Sequence, residues 1–338
     1  MAKDVPSPME AKLVDALPTD SGWQFEPKWD GFRAICVREE EDAEIRSKSG
    51  KRLERYFPEL VKILLSTKTT RFIVDGEIIL PIHDMLSFDA LQARLHPAAS
   101  RIARLSHETP AQLMLFDCLA LDGEMLGACS LSERRAALER FHEANGGPSL
   151  LLSPRSRDIA DARAWLRASG GALDGVVAKR IDEPYQPGER AMLKVKQLRT
   201  ADCVVGGFRR TREGRGVASM LLGLYDAEGK LDHVGFTSGI AAAERGPLLA
   251  KLRPLVASPG FTGKAPGGPS RWNAGKTRAW EPLRPELVVE VVYDQVTGAR
   301  FRHGTRFLRW RPDKAPHQCG MEQLIHELRP ARLATIAQ

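Results

Sequence analysis

The segment Glu26-Pro27-Lys28-Trp29-Asp30-Gly31-Phe32-Arg33 sets a lysine beside an apolar residue, then an Asp-Gly pair, then an arginine. A lysine amine is a nucleophile only without its proton, and neighbouring cations favour that form because like charge disfavours the ammonium. Lys194-Val195-Lys196 can supply such cations, since residues two apart on a strand share a face. Both can also bind phosphate and stabilise charge developing on a leaving group. Asp75-Gly76-Glu77 lies in an apolar run, where a buried acid needs a partner; alternation puts both carboxylates on one face. Asp174-Gly175-Val176-Val177-Ala178-Lys179 opens another apolar run with an acid, and Phe116-Asp117 sits in a third. Near the C-terminus stands Arg311-Pro312-Asp313-Lys314. A Lys-x-Asp-Gly tetrapeptide alone is a weak signal and reads more readily as a turn than as a site. Six such elements in order are hard to obtain by chance.

These residues need strands to hold them. Residues 72–80, 112–119, 174–179 and 192–196 are short runs rich in β-branched or apolar residues and read as strands. Between them, 131–142 reads as a helix capped by Ser132, and 158–169 as an amphipathic helix closing at Gly170-Gly171. Strands and helices in irregular order indicate an α+β domain with antiparallel sheets. From about Thr200 the texture changes. Strands are expected at 203–208, 219–225, 233–237 and 286–293, with one helix at 242–256, a long loop at 258–277 and a short surface helix at 318–328. Few strands, one helix and many glycines fit a small barrel such as an OB-fold. A hinge is expected near Arg199-Thr200-Ala201-Asp202.

The six motifs resemble, nearly end to end, those of the ATP-dependent DNA ligases, a branch of the covalent nucleotidyltransferases that also includes RNA ligases and mRNA capping enzymes. The text Arg309-Trp310-Arg311 is similar to the tails of short bacterial ligases of the C type. The resemblance implies an ATP-grasp-like nucleotidyltransferase domain over residues 1–200 and an OB-fold domain over 201–338. It implies that Lys28 attacks the α-phosphate of ATP to give lysyl-AMP, that AMP passes to the 5′-phosphate of a nick, and that the 3′-hydroxyl then displaces AMP. Glu26, Arg33, Lys48, Glu77, Phe116, Lys179, Lys194, Lys196, Arg311, Asp313 and Lys314 are the nucleotide-binding positions it implies, with Phe116 stacking on the purine. Glu77 and Asp174 are the implied ligands of Mg²⁺, or of Mn²⁺ in its place. Asp174 stands where the family commonly has Glu, one methylene longer. Lys48, in Arg46-Ser47-Lys48-Ser49-Gly50, stands where it often has arginine, and Arg46 on the same expected strand face is its alternative. An RNA ligase or capping-type guanylyltransferase, or a non-catalytic nucleic-acid-binding module, are the competing functions.

Charge supports an anionic polymer as partner. Residues 1–199 carry 29 basic and 30 acidic side chains, and residues 200–338 carry 21 and 13, so the whole excess of +7 comes from the second part. Arg209, Arg210, Arg212 and Arg215 form an arginine-rich turn, and Arg302 and Arg306 belong to a second cluster. Such clusters bind phosphate with strong salt dependence, and few aromatics interleave for stacking on single strands. Contacts to a duplex backbone fit better, and the resemblance implies that the duplex is nicked DNA. Only 27 residues precede Lys28, leaving the grip on DNA to the two domains or to a partner such as a repair polymerase or other repair protein. No apolar run is long enough for a membrane span, no secretory signal opens the chain, and the five cysteines form no CxxC pair. A monomeric cytoplasmic repair enzyme is the expectation.

Overall fold

The computed structural model describes residues 5–82, 85–169, 173–267 and 279–328. The chain divides into two compact units between Gln197 and Leu198.

In the first unit two sheets carry the motifs. One has the strand order Ala11–Leu13, Met192–Val195, Leu173–Arg180, Trp23–Trp29. The other runs Leu150–Leu152, Gln112–Leu121, Arg71–Ile79, Phe32–Glu39, Asp42–Ser47, with Glu124–Met125 beside Gln112–Leu121. Alternation along Arg71–Ile79 decides what goes where. Phe72, Val74 and Ile78 pack with Phe57, Leu60, Leu64, Leu138 and Phe141 from the covering helices. Ile73 packs the opposite way, with Ile35, Val37, Leu119, Tyr185, Met9 and Met192. Asp75 and Glu77 share the parity of Ile73, so they continue that inter-sheet face as polar groups. Arg33 is paired with Glu77 and Ile35 with Asp75 across the neighbouring strand, which adds Arg33 to the same face.

The sheets are not purely antiparallel, as expected from sequence, but mixed. Leu150–Leu152 lies parallel to Gln112–Leu121, and Ala11–Leu13 parallel to Met192–Val195. Parallel pairing needs a long crossover; the helix Leu131–Asn145 supplies it for the first pair. That helix is capped by Ser130, in a reciprocal capping box with Glu133, rather than by Ser132. The Ser132 hydroxyl instead donates to the carbonyl of Ile181 (3.1 Å). The helix Ile159–Arg167 starts from Asp158 as cap; its expected close at Gly170-Gly171 lies outside the described residues.

The second unit is a small barrel. Its sheet runs Leu231–Thr237, Val217–Tyr225, Arg199–Arg210, Val288–Tyr293, Arg306–Trp310, with Glu281–Pro282 against Arg199–Arg210. The two edges meet: Thr305 N–H donates to the carbonyl of Phe236 (3.0 Å), and the Thr237 hydroxyl donates to that of Thr305 (2.9 Å). Closure removes the open sheet edges and encloses Val204, Phe208, Leu221, Leu222, Val234, Val289 and Val291. Residues 199–202, expected as a hinge, belong to the strand Arg199–Arg210 and pair with Tyr293 to Glu290; the irregular stretch is 196–198. The expected helix 242–256 is α-helical only over Arg245–Leu252, between 3₁₀ turns. Pro254 has no N–H to continue it. Met321–Leu328 is a 3₁₀ helix. Residues 258–267 are irregular, and the rest of the expected loop lies outside the described residues.

Candidate functional site

Lys28 occupies the penultimate position of Trp23–Trp29, directly opposite Gly175. The ladder between these strands slips between Leu173 and Gly175, a bulge of the kind that re-aims a side chain. Gly175 has φ +133, and a Cβ there would lie 2.1 Å from the carbonyl oxygen of Val195. Gly31 is equally constrained, since its Cβ would lie 2.2 Å from the carbonyl oxygen of Ile78. Two of the Asp-Gly pairs therefore owe their glycine to strands in close approach.

The bulge delivers Asp174 to two lysines. Its Oδ2 lies 2.7 Å from Lys28 Nζ and its Oδ1 2.9 Å from Lys196 Nζ. The carboxylate is buried, and both ammonium groups are largely so. Burial holds Lys194 below the usual lysine range, helped by the charges of Lys28, Lys196 and Lys48, while Asp174 pulls the other way. The lysines expected to converge are thus brought together. Both Asp174 oxygens lie beside ammonium groups and Oδ1 makes no hydrogen bond, so a cation expected there would share the carboxylate with the lysines.

Glu77 is different. Its Oε1 accepts from Gly31 N–H (3.2 Å). Burial pushes its carboxyl up to about 7, against the pull of Lys28 and Arg33. A half-buried carboxylate is a fitting oxygen donor for a hard cation, which commonly takes one or two carboxylates plus substrate phosphates. Among the described residues no cluster of three acidic, His or Cys side chains forms a complete cage, so a metal at Glu77 would need phosphate oxygens as further ligands.

Arg33, expected at a phosphate, is clamped by Asp75. Nε donates to Oδ1 (3.0 Å) and Nη2 to Oδ2 (2.6 Å). The Tyr185 hydroxyl donates to the same carboxylate (2.8 Å) and accepts from Met9 N–H (2.8 Å). Tyr185 belongs to no motif, and nothing in the sequence singled it out. The Arg33 guanidinium instead lies 5.3 Å from the centre of the Phe116 ring, and Lys179 Nζ lies 4.8 Å from it. Phe116 is half-buried on a strand whose neighbours are buried, as a ring with a stacking face requires. Lys179 Nζ donates to Glu26 Oε2 (2.8 Å), and Gln24 donates to Glu26 Oε1 (2.8 Å). This ion pair is almost fully buried.

Lys48 sits in the turn after Asp42–Ser47, not on the strand. Its Nζ lies 3.0 Å from Glu10, and its charge reaches Lys194. Arg46 pairs with Glu44 (2.7 Å).

In the barrel, Arg311 and Lys314 converge on Asp202. Arg311 Nη1 donates to its two oxygens (2.8 and 3.0 Å), and Lys314 Nζ to Oδ2 (2.7 Å). Asp313 accepts from Arg311 Nε and Nη2 and is held down at about 2 by that hydrogen bond. Sequence reading placed Asp202 only in a hinge; its spacing from Arg311 hides the contact. Of the arginines expected on DNA, Arg212, Arg215 and Arg306 are exposed. Arg210 is paired with Glu281 through two nitrogens. Arg302 donates to Gln295 (2.9 Å), and Arg209 lies 6.0 Å from the Phe236 ring centre.

Among the described residues no helix is long and apolar enough to cross a membrane. Residues 8–196 match the ATP dependent DNA ligase domain, and residues 213–314 the ATP dependent DNA ligase C terminal region. The chain is similar to DNA ligase C2 of Mycolicibacterium smegmatis, at 46% identity over 334 residues covering 94% of each chain. It is 44% identical to DNA ligase C of Mycobacterium tuberculosis over 339 residues, covering 95% of this chain and 94% of the relative. A solved Lig E DNA ligase has the same fold at 17% identity and a TM-score of 0.58, covering 91% of this chain and 100% of that one.

Proposed function

The chain belongs to the ATP-dependent DNA ligases, and from that premise we propose that Lys28 is its adenylated nucleophile, with residues 1–200 as the adenylation domain and 201–338 as the OB-fold domain. The observation that carries this is the lysine cluster: Lys28 and Lys196 on opposite oxygens of Asp174, with Lys194 alongside.

Lys28 Nζ attacks the α-phosphorus of ATP; the new P–N bond forms as the bond to pyrophosphate breaks. The 5′-phosphate of a nick then attacks the AMP phosphorus and frees Lys28. Finally the 3′-hydroxyl attacks the activated 5′-phosphorus and AMP leaves. Lys194 and Lys196 neutralise charge on the α-phosphate. Phe116 offers its ring to the adenine, and Arg33 and Lys179 set their cations over that ring. Glu26 accepts from Gln24 and Lys179 and so fixes Lys179 over the Phe116 ring. Asp174 holds Lys28 in place beside Lys196. Glu77 would hold Mg²⁺ or Mn²⁺, and Asp174 could join it by sharing its carboxylate with the lysines. When bound, that cation would neutralise phosphate oxygens.

Arg212, Arg215 and Arg306 present charge to the duplex backbone, and the role inferred is repair rather than replication. Incubation with α-labelled ATP tests the nucleophile. Label is expected on the wild-type protein and absent from Lys28→Ala; label retained by that variant would overturn the assignment.

A further inference from the structure

The second unit contains a charge array that the motifs alone do not explain. Asp202 lies within the strand Arg199–Arg210 and is mostly buried. Its backbone is fixed from both sides by one side chain: its N–H donates to Gln323 Oε1 (3.0 Å), and Gln323 Nε2 donates to its carbonyl (3.0 Å). Across the ladder it faces Glu290, which in turn faces Arg309. Glu290 pairs with Arg309 at 2.6 Å and stands 3.9 Å from Arg311. Asp202 is therefore an immobile carboxylate on a closed barrel. The groups it binds belong to a turn: Arg311 and Lys314 leave the end of Arg306–Trp310, and both place a nitrogen within 3.0 Å of it. A lysine or arginine on a turn loses considerable rotamer freedom when fixed. One buried carboxylate holds two of them in register.

The remaining donors of Arg311 are covered by Asp313, which is more than half exposed. An exposed carboxylate on a local turn is readily exchanged for another anion, because surface pairs are weak. Asp202 cannot be exchanged in this way, since strand pairing and Gln323 hold it. The arrangement thus has a fixed anchor beneath the cations and a removable cover on their open side.

We propose that Asp202 is a positioning residue for self-adenylation: it presents Arg311 and Lys314 as one preformed cationic pair for the pyrophosphate portion of ATP. This rests on the reading of Arg311 and Lys314 as nucleotide-binding residues, and adds the group that aims them. Asp202 touches no substrate and acts through the two cations alone. The pair is needed where a triphosphate or pyrophosphate is bound. It has no task when the 3′-hydroxyl displaces AMP from an already adenylated nick.

The test separates those steps, using the full chain. Asp202→Asn keeps the shape but removes the charge. The ATP concentration for half-maximal self-adenylation, and the pyrophosphate concentration for half-maximal reversal, should each rise about tenfold or more, as expected for loss of a charged hydrogen-bond partner. Sealing of a nick that already carries 5′-adenylate should be unchanged, which also shows that the variant is folded. Asp202→Glu should restore part of the pyrophosphate response. In an Arg311→Ala, Lys314→Ala background, adding Asp202→Asn should change nothing further. If Arg311→Ala impairs adenylation but Asp202→Asn does not, the positioning role is overturned while the reading of Arg311 stands. If Arg311→Ala itself leaves adenylation intact, that reading falls and the proposal with it. Equal loss of adenylation and of sealing in Asp202→Asn, without rescue by Glu, would mark Asp202 as purely structural and overturn the proposal.

Discussion

Asp174 Oδ2 lies 2.7 Å from Lys28 Nζ, so the lysine assigned as nucleophile rests on a buried carboxylate and not only among cations. The same carboxylate holds Lys196 through its other oxygen. One acid therefore organises both lysines.

Removing that anchor should be visible in the rate of adenylation. In Asp174→Asn the single-turnover adenylation rate should fall about tenfold or more, because Lys28 and Lys196 lose the carboxylate that positions both. An unchanged rate would show that the ion pairs do not position the nucleophile.

The Glu26–Lys179 pair should report on stability. Each side chain is less than 5% exposed, and leaving one buried charge without its partner costs about 3–5 kcal/mol. Lys179→Met alone should therefore lower the urea midpoint sharply, and combining it with Glu26→Gln should recover much of the loss. Additive losses in the double variant would refute this.

Gly31→Ala tests the close approach beneath the lysine. Its Cβ would be driven into backbone, the Ile78 carbonyl oxygen, which cannot rotate away as a side chain can. A destabilisation of about 2 kcal/mol or more is expected, read from chemical unfolding, with adenylation reduced in the folded fraction. Gly214, whose added Cβ would meet nothing within 4 Å, provides a comparison: its positive φ of +70 predicts a milder backbone cost of about 1 kcal/mol. Equal effects would contradict the steric argument.

His233 in the barrel should make the second unit acid-sensitive. Burial first, and then the charges of Arg300 and Arg209, push its imidazole down to about 3. The unfolded chain takes up a proton at its ordinary value near 6.5, whereas the folded one resists. Stability is thus fully present above pH 6.5 and is lost as pH falls toward 3, by up to about 1.4 kcal/mol per pH unit. His233→Gln, whose amide oxygen can still accept from Arg300, should flatten that slope in urea titrations between pH 6.5 and 4.5. An unchanged slope would assign the acid sensitivity elsewhere.

Salt dependence should sort the arginines. Replacing exposed Arg212, Arg215 or Arg306 by alanine should each reduce the slope of log affinity for nicked duplex against log salt by about 1. Arg210 is already neutralised by Glu281, so its replacement should change the slope less. A uniform response across all four would argue against selective phosphate contact.

The chemistry was legible in the sequence because it depends on residue types in order. The lysine, the three Asp-Gly pairs and the Lys-x-Lys retain their meaning without coordinates, since strand alternation is local and puts Asp75 with Glu77 wherever the strand lies. The barrel was legible for a similar reason: short apolar runs divided by glycine-rich turns leave few other solutions. What only the tertiary structure decided is which charge meets which. Arg33 and Tyr185 both met Asp75, Asp174 set its two oxygens beside two lysines, and Asp202, read as hinge, became the anchor for Arg311 and Lys314. Those partners lie from 22 to 146 residues apart in the chain. Ion pairing depends on distance in space and on burial, and neither is encoded in local spacing. It was the bulge at Asp174, the pairing of Phe32–Glu39 with Arg71–Ile79, and the ladder through Val288–Tyr293 between Asp202 and Arg306–Trp310 that brought these groups together.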